Sequence, residues 1–192
     1  MILEGLLTMS AAEDVHIAVM GPEVADFRSM TQLILKPFQG SRTNDLLTAH
    51  PEGVFHLTDN VLLFALAVTG VSHERPQMHP ADTVKGWILE DACEAFEFRI
   101  ENADTSGERC RLLAKIQKSH FVRPFRGFNR AAHAVIEAAI LFSRLHLLGA
   151  GEVQQQLASL RPLVTKTAGE QEQQAFDLIV EQTAKRYLKT AD

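Results

Sequence analysis

The sequence changes its period once, at Gly127, and that change constrains the fold more than any other feature. Before it, apolar residues recur at every second position. Val15, Ile17 and Val19 alternate with His16, Ala18 and Met20, and Cys110, Leu112, Ala114 and Ile116 alternate with Arg109, Arg111, Leu113 and Lys115. After it, residues 131–148 run without proline or glycine and are apolar on nearly every side, the signature of a helix. The chain therefore reads as a strand-rich part, residues 1–122, followed by a helical unit of about three helices, residues 123–192.

Within the first part, strands are predicted over residues 2–9, 15–20, 29–36, 53–58, 84–100 and 110–116, with a polar linker of hairpin length at 10–14. The last two segments flank a polar turn at 102–107 and read as one long antiparallel hairpin, with Phe96, Phe98 and Ile100 facing opposite to Ala95, Glu97 and Arg99. Short helices are predicted over 41–50, capped by Ser41 or Thr43, and over 61–68, capped by Asp59-Asn60. Residues 70–81, with Pro76, Pro80, His73 and His79, are the most loop-like part of the chain. Six or seven strands with short helices between them point to a small barrel or a strongly curled sheet. In the second part, Asn129 is the expected N-cap of the helix over 131–148 and Gly149-Ala150-Gly151 its end. A second helix over 152–160 is expected to break near Pro162, and a third spans 170–188.

A net charge of −5 and a pI near 5.9 argue against a nucleic-acid partner. Cys93 and Cys110 have no metal-ligand spacing and read as reduced core thiols of a cytoplasmic protein. The first residues carry Glu4 and no basic n-region, so they do not read as a signal peptide. The apolar runs at 61–71 and 131–142 are too short to span a bilayer, so no membrane partner is expected.

Two stretches share an order. Lys36-Pro37-Phe38-Gln39-Gly40-Ser41-Arg42 and Arg123-Pro124-Phe125-Arg126-Gly127-Phe128-Asn129-Arg130 each run basic, Pro, Phe, polar, Gly and end on Arg. We read them as two edges of one anionic-ligand site. In the first, hydroxyls, a guanidinium and free backbone N–H groups precede a helix, which suits a phosphate and equally suits ordinary capping. In the second, Arg130, His133, Glu137 and Arg144 form one polar stripe on an otherwise apolar helix. That stripe reads either as an internal salt-bridge ladder or as ligand contacts from Asn129, Arg130 and His133 held by Glu137. His133 and Glu137 alone are too few to hold a metal. The eight histidines show no H-E-x-x-H spacing, and no G-x-G-x-x-G, Walker or G-x-S-x-G element occurs. No catalytic residue can be named from local motifs.

Several segments, taken in order, carry a resemblance. These are Met1-Ile-Leu-Glu-Gly, Ala18-Val-Met-Gly-Pro22, Lys36-Pro-Phe-Gln-Gly-Ser-Arg-Thr43, Gly53-Val-Phe-His-Leu-Thr-Asp59, Asp91-Ala-Cys-Glu-Ala-Phe-Glu97 and Phe125-Arg-Gly-Phe-Asn-Arg-Ala-Ala-His133 with Glu137. Over essentially its whole length the chain resembles the domain-of-unknown-function family 447, in the FMN-binding split-barrel superfamily that includes flavin reductase-like and flavoredoxin-like proteins. The resemblance implies an α+β fold, an antiparallel split β-barrel of the FMN-binding type with an added C-terminal helical unit, usually a homodimer with FMN near the subunit interface. It implies that Ala18, Val19, Met20 and Gly21 pass backbone groups along the isoalloxazine and that Ser41, Arg42 and Thr43 take the phosphate. Thr58 and Asp59 are then at the edge of the site, and Asn129, Arg130 and His133 approach from the helical unit. The chain departs from the superfamily pattern after Thr43, where Asn44-Asp45-Leu46-Leu47 replaces x-x-Asn-Ile or x-x-Asn-Leu. Asp45 adds a negative charge there, which works against flavin affinity. The implied function is flavin-dependent electron or hydride transfer on a small molecule, possible as an FMN-dependent oxidoreductase, with a pterin-like substrate suggested. The alternative is a non-catalytic ligand-binding or assembly protein in which the polar stripe is structural.

Overall fold

β1 (Gly5–Ala11) and β2 (Asp14–Met20) form an antiparallel hairpin with Leu7 opposite Ala18 and Met9 opposite His16. In this computed structural model, which describes residues 1–11, 14–71 and 75–189, the chain forms two compact units. One comprises Met1–Thr58 and Arg75–Phe125, the other Asp59–Glu74 and Arg126–Asp192. Ala12 and Glu13 of the predicted linker and His73 of the predicted loop lie outside the described residues.

The first unit is built on a six-stranded antiparallel sheet. β3 (Gln32–Leu35), β4 (Glu52–Leu57), β7 (Glu94–Asp104) and β8 (Arg111–Phe121) join the hairpin in the order β2-β1-β4-β7-β8-β3, while β5 (Met78–Pro80) pairs with β6 (Trp87–Leu89). The sheet curls back on itself through residues 22–24. Glu23 exchanges backbone hydrogen bonds with Ile34 of β3, at 3.0 and 2.9 Å, while Leu3 N donates to Pro22 O and Val24 N to Met1 O. This links the β3 edge to the segment that enters β1 and gives an antiparallel split β-barrel. Alternation fills its interior with Leu7, Met9, Leu33, Leu35, Phe55, Phe96, Phe98 and Leu112, and α1 (Arg42–Ala49) adds Leu47. Each fully buried side chain of this size contributes about 1.5–3 kcal/mol.

The predicted strand over 84–100 is in fact two strands, because residues 90–93 turn between β6 and β7. The β5–β6 pair and the 81–86 turn cover the outer face of the sheet, so Thr8, Val54, His56, Ala95 and Glu97 are buried as well. Both faces of β7 are thus covered from Ala95 to Phe98, which period-two alternation does not predict.

In the second unit α2 (Val61–Thr69) packs with α3 (Arg130–Ser143), α4 (Ala150–Thr167) and α5 (Glu170–Lys189). Its core joins Val61 and Ala65 to Ala131, Ala134, Val135, Ala138 and Phe142 of α3, Val153, Leu157 and Val164 of α4, and Ala175, Phe176 and Ile179 of α5. Two predicted boundaries move. α3 ends at Ser143, and the Gly149-Ala150-Gly151 stretch begins α4, with Gly149 as its N-cap. α4 also runs through Pro162, at a cost of about 3 kcal/mol for the lost hydrogen bond and the clash. Val153 and Leu157 before the proline and Val164 after it are buried, so both flanks are held against the same core. No helix among the described residues is long and apolar enough to cross a membrane.

Candidate functional site

The end of β3 leads into a turn fixed on both sides. Lys36 pairs with Glu23, Cys110 N donates to Pro37 O (3.0 Å), Gln39 N donates to Glu108 O (2.9 Å), and the Arg109 guanidinium lies 4.0 Å from the Phe38 ring centroid. Ser41 N then donates to Phe38 O, with Gly40 in the left-handed region at φ +73°, where a side chain would be strained. Ser41 is the N-cap of α1, its Oγ accepting from Asn44 N at 3.2 Å. The capping role weighed for this residue is therefore realised, and its O–H remains able to donate.

Arg42 and Thr43 follow in the first turn. Their backbone N–H groups have no intrahelical acceptor, as in any helix start. Arg42 is exposed, with no hydrogen-bond or ion-pair partner among the described residues. Thr43 Oγ1 lies 3.3 Å from His16 Nε2, which brings β2 to the start of α1. Burial, and then the Arg42 charge, hold the His16 imidazole below its ordinary pKa against the opposing pull of Asp14, so it is neutral at pH 7. Asn44 is buried, and its Oδ1 has no hydrogen-bond partner among the described residues. Asp45, exposed in the same turn, is the one acid there.

Ala18, Val19 and Met20 end β2, an outer strand of the sheet, so part of its backbone donor and acceptor row is not used in the ladder with β1. Gly21 follows them, packed so closely that a Cβ would meet Ile2 at 2.8 Å. Thr58 donates through Oγ1 to Asp91 O (2.8 Å), and Arg123 holds Asp91 through Nε to Oδ1 (2.8 Å) and Nη2 to the carbonyl (3.0 Å). Arg123 is thus committed to a structural ion pair.

In the helical unit, Asp59 Oδ2 accepts from Arg126 N (2.8 Å), and Asn60 rather than Asp59 caps α2 through Leu62 N and Leu63 N. Asn129 caps α3 by accepting from Ala131 N (2.8 Å), and Thr167 Oγ1 of α4 also meets that N–H (3.1 Å). Arg130, His133, Glu137 and Arg144 are exposed, and among the described residues none of them forms an ion pair. The internal salt-bridge ladder is overturned: the buried face of α3 is its alanine-rich side, the stripe is its solvent face, and Arg144 is already past the last helical turn. His133 stands edge-on to Phe128 at 5.9 Å.

The echo between the two Pro-Phe stretches has a local explanation. Gly127, like Gly40, has positive φ (+108°); Gly40 directly precedes its N-cap and Gly127 stands two residues before, with Phe128 between, and each cap is followed by an arginine at the first helical position, Ser41-Arg42 and Asn129-Arg130. Both are helix entries of one chemical type.

Sequence reasoning passed over His16 and Glu97. His16 shares its strand face with Ala18 and Met20 by simple alternation, a signal that was available. Glu97 is fully buried and carries a dense set of donors: Asp82 N (2.9 Å), Thr83 N (2.6 Å), the Thr83 hydroxyl and His120 Nε2 (2.7 Å). Asp82, Glu97 and His120 offer three metal-type ligand atoms within 4.8 Å of one another. Every Glu97 oxygen is already taken by a donor, and Lys118 holds Asp82, so this cluster reads as a structural knot.

Comparison with known proteins gives the family and the fold. The sequence profile described as protein of unknown function (DUF447), N-terminal domain, matches residues 3–123, and the corresponding DUF447 profile for the C-terminal part matches residues 129–181. No curated protein matches the chain. Among solved structures, an FMN-bound DUF447 protein from Methanosarcina mazei superposes with a TM-score of 0.81 at 20% identity, covering 94% of each chain. The styrene monooxygenase flavin reductase from Pseudomonas putida S12 matches at TM-score 0.50 and 15% identity, over 63% of this chain and 80% of that one. An FMN-binding protein from Thermus thermophilus with bound p-hydroxybenzaldehyde matches at TM-score 0.53 and 14% identity, over 62% and 71%. At these identities the likeness establishes the fold.

Proposed function

The chain belongs to the DUF447 family of proteins of unknown function, and from that membership and the geometry at α1 we propose that it binds FMN on its split barrel and serves flavin-dependent electron or hydride transfer to or from a small molecule. The observation that carries the proposal is the start of α1, where the uncommitted Arg42 guanidinium, the Thr43 hydroxyl and the first-turn N–H groups meet β2 beside His16. Those groups fit a phosphate: donors and the positive end of a helix face outward, and the Arg42 side chain is not tied into an ion pair. FMN, when bound, supplies the redox chemistry through its ring system. The residues of the chain do the rest. Arg42, Thr43 and the Ser41 O–H hold the phosphate, and neutral His16 orients the Thr43 hydroxyl. The free backbone row at Ala18, Val19, Met20 and Gly21 offers hydrogen bonds to a flat polar ring, and Asp45 lowers the net attraction.

Thr58 is the finer part of this site, its hydroxyl already turned to Asp91. For Asp59, Asn129, Arg130 and His133 of the helical unit a flavin contact is only what the family resemblance implies. There the exposed Arg130 and His133 have free donors, whereas Asp59 and Asn129 are engaged with backbone N–H groups. A pterin-like ring is the finer expectation for the substrate. A homodimer is the proposed state, supported by a large apolar side chain left exposed on the barrel, Phe121 at 76%. Light scattering tests it by reading twice the 21.3 kDa chain mass or only once that mass.

Titration of FMN fluorescence tests the site. Wild-type protein should quench it saturably, and Arg42→Ala with Thr43→Ala should weaken binding about 10- to 100-fold, the value of one or two charge-assisted hydrogen bonds, with an unchanged thermal midpoint. Absence of binding by the wild type, or equal affinity in the variant, would remove the cradle.

A further inference from the structure

At the other end of β3 from α1 the barrel opens into a cleft of about 590 Å³, a volume that suits a small organic ligand. The cleft exists because two neighbouring strands differ in length. β3 pairs with β8 from Leu112 to Lys115, and Thr31 O takes a last rung from Ile116 N at 2.9 Å, whereas β8 continues to Phe121 opposite Glu94 of β7. A bulge between Glu97 and Phe98 shifts the register, so that Phe96 faces Ser119. Beyond the last rung, no strand covers this flank of β8 among the described residues. The segment before β3 borders it instead, tied by Asp26, which accepts from Arg28 N and the Ser29 hydroxyl (both 2.9 Å), and anchored by buried Met30.

That arrangement sets out a definite chemistry. The floor is apolar, with Phe96 and Ile116, and the rim holds the half-exposed Phe27 ring with the Arg28 guanidinium 5.7 Å from its centroid. Among the described residues that line the cleft Glu94 is the one acid and Arg28, Lys115 and Lys118 are the bases, but the two lysines stand opposite Arg99 and Glu97, on the face of β7 away from Phe96. Lys115 and Lys118 have carboxylate neighbours outside it, Glu101 at 3.5 Å and Asp82, but the Arg28 guanidinium has no acceptor among the described residues. We propose that this cleft is a second ligand site, separate from the start of α1, for a flat aromatic molecule bearing a carboxylate or similar anionic group. The ring lies on the Phe27, Phe96 and Ile116 surface, and the anion is met by the Arg28 guanidinium. β3 and the 36–40 turn lie between the two sites along the chain. The binding does not depend on flavin; naming this ligand as the flavin's substrate would rest on the proposed function above.

Isothermal titration of the full chain with 2-naphthoate, and with the uncharged 2-naphthamide, tests the proposal. Each titration is run with and without saturating FMN. The expected result is one saturable naphthoate site per chain, at least tenfold weaker for the amide, at least tenfold weaker in Arg28→Glu, several-fold weaker in Phe27→Ala, and unaffected by FMN. Both residues are exposed, and unchanged thermal midpoints identify the variants as folded. Three outcomes would overturn it: no saturable binding, naphthoate binding indifferent to Arg28→Glu, or displacement of naphthoate by FMN, which would make the cleft part of the flavin site. A protein that binds naphthoate but no FMN would sustain this inference while removing the flavin reading.

Discussion

Glu97 and His56 fix the outer face of the barrel by opposite electrostatic routes. Burial alone would raise the Glu97 pKa, yet the hydrogen bonds from Thr83, Asp82 and His120 outweigh it and hold the carboxyl down to about 2. His56 is fully buried, donates through Nδ1 to Leu6 O (3.3 Å), and accepts from Leu89 N at Nε2 (3.2 Å). Its pKa is pushed down to about 4 by burial. In both cases the folded value lies below the unfolded one, so the stability is present at neutral pH and lost on acidification. For His56 the loss falls between about pH 6.5 and 4, and for Glu97 between about 4.5 and 2. A pH series of thermal midpoints should therefore decline from pH 7 downward, and His56→Gln should flatten the upper part of that decline; an unchanged slope would remove His56 as its cause. Glu97→Ala leaves four buried or half-buried donors without their acceptor and should cost about 3 kcal/mol, read by urea unfolding. A loss below 1 kcal/mol would show that the 81–86 turn does not depend on this carboxylate. Neither role was legible in the sequence. Alternation puts Glu97 on the face away from Phe96 and Phe98, and only the packing of the preceding residues 78–89 over that face turns an outward position into a buried one.

At the scale of elements, local signals held where local chemistry decides. Ser41, Asn60 and Asn129 cap the helices that follow them, and the alternation of β2, β7 and β8 predicts their pairing. They failed where tertiary packing overrides them. Pro162 does not end α4, because buried residues on both sides hold the helix, and Gly149-Ala150-Gly151 opens a helix instead of closing one. The two helix entries give a further test. Gly127 has φ +108°, so Gly127→Ala should destabilise by about 1 kcal/mol through backbone strain. Asn129→Ala should cost a similar amount through the lost cap. If both variants unfold at the wild-type urea midpoint, the entry to α3 does not matter to stability.

For the molecule as a whole, the class of fold was legible and the division of the chain less so. The change of period at Gly127 marks the helical segment, but no local feature announces that α2, inserted between strands, belongs with the helices; only its packing on α3 and α5 reveals this. Likewise the sequence points to Arg42 and Thr43, whereas the approach of His16 to Thr43 needs the curl that brings β2 to α1. The central claim is that the start of α1 recognises the phosphate of a flavin. Its most direct test is the ratio of riboflavin to FMN dissociation constants, since the two differ only by that phosphate. The account predicts that riboflavin binds at least tenfold more weakly than FMN, and that the ratio falls towards one in Arg42→Ala with Thr43→Ala. Equal affinities for the two flavins in the wild-type protein would contradict it.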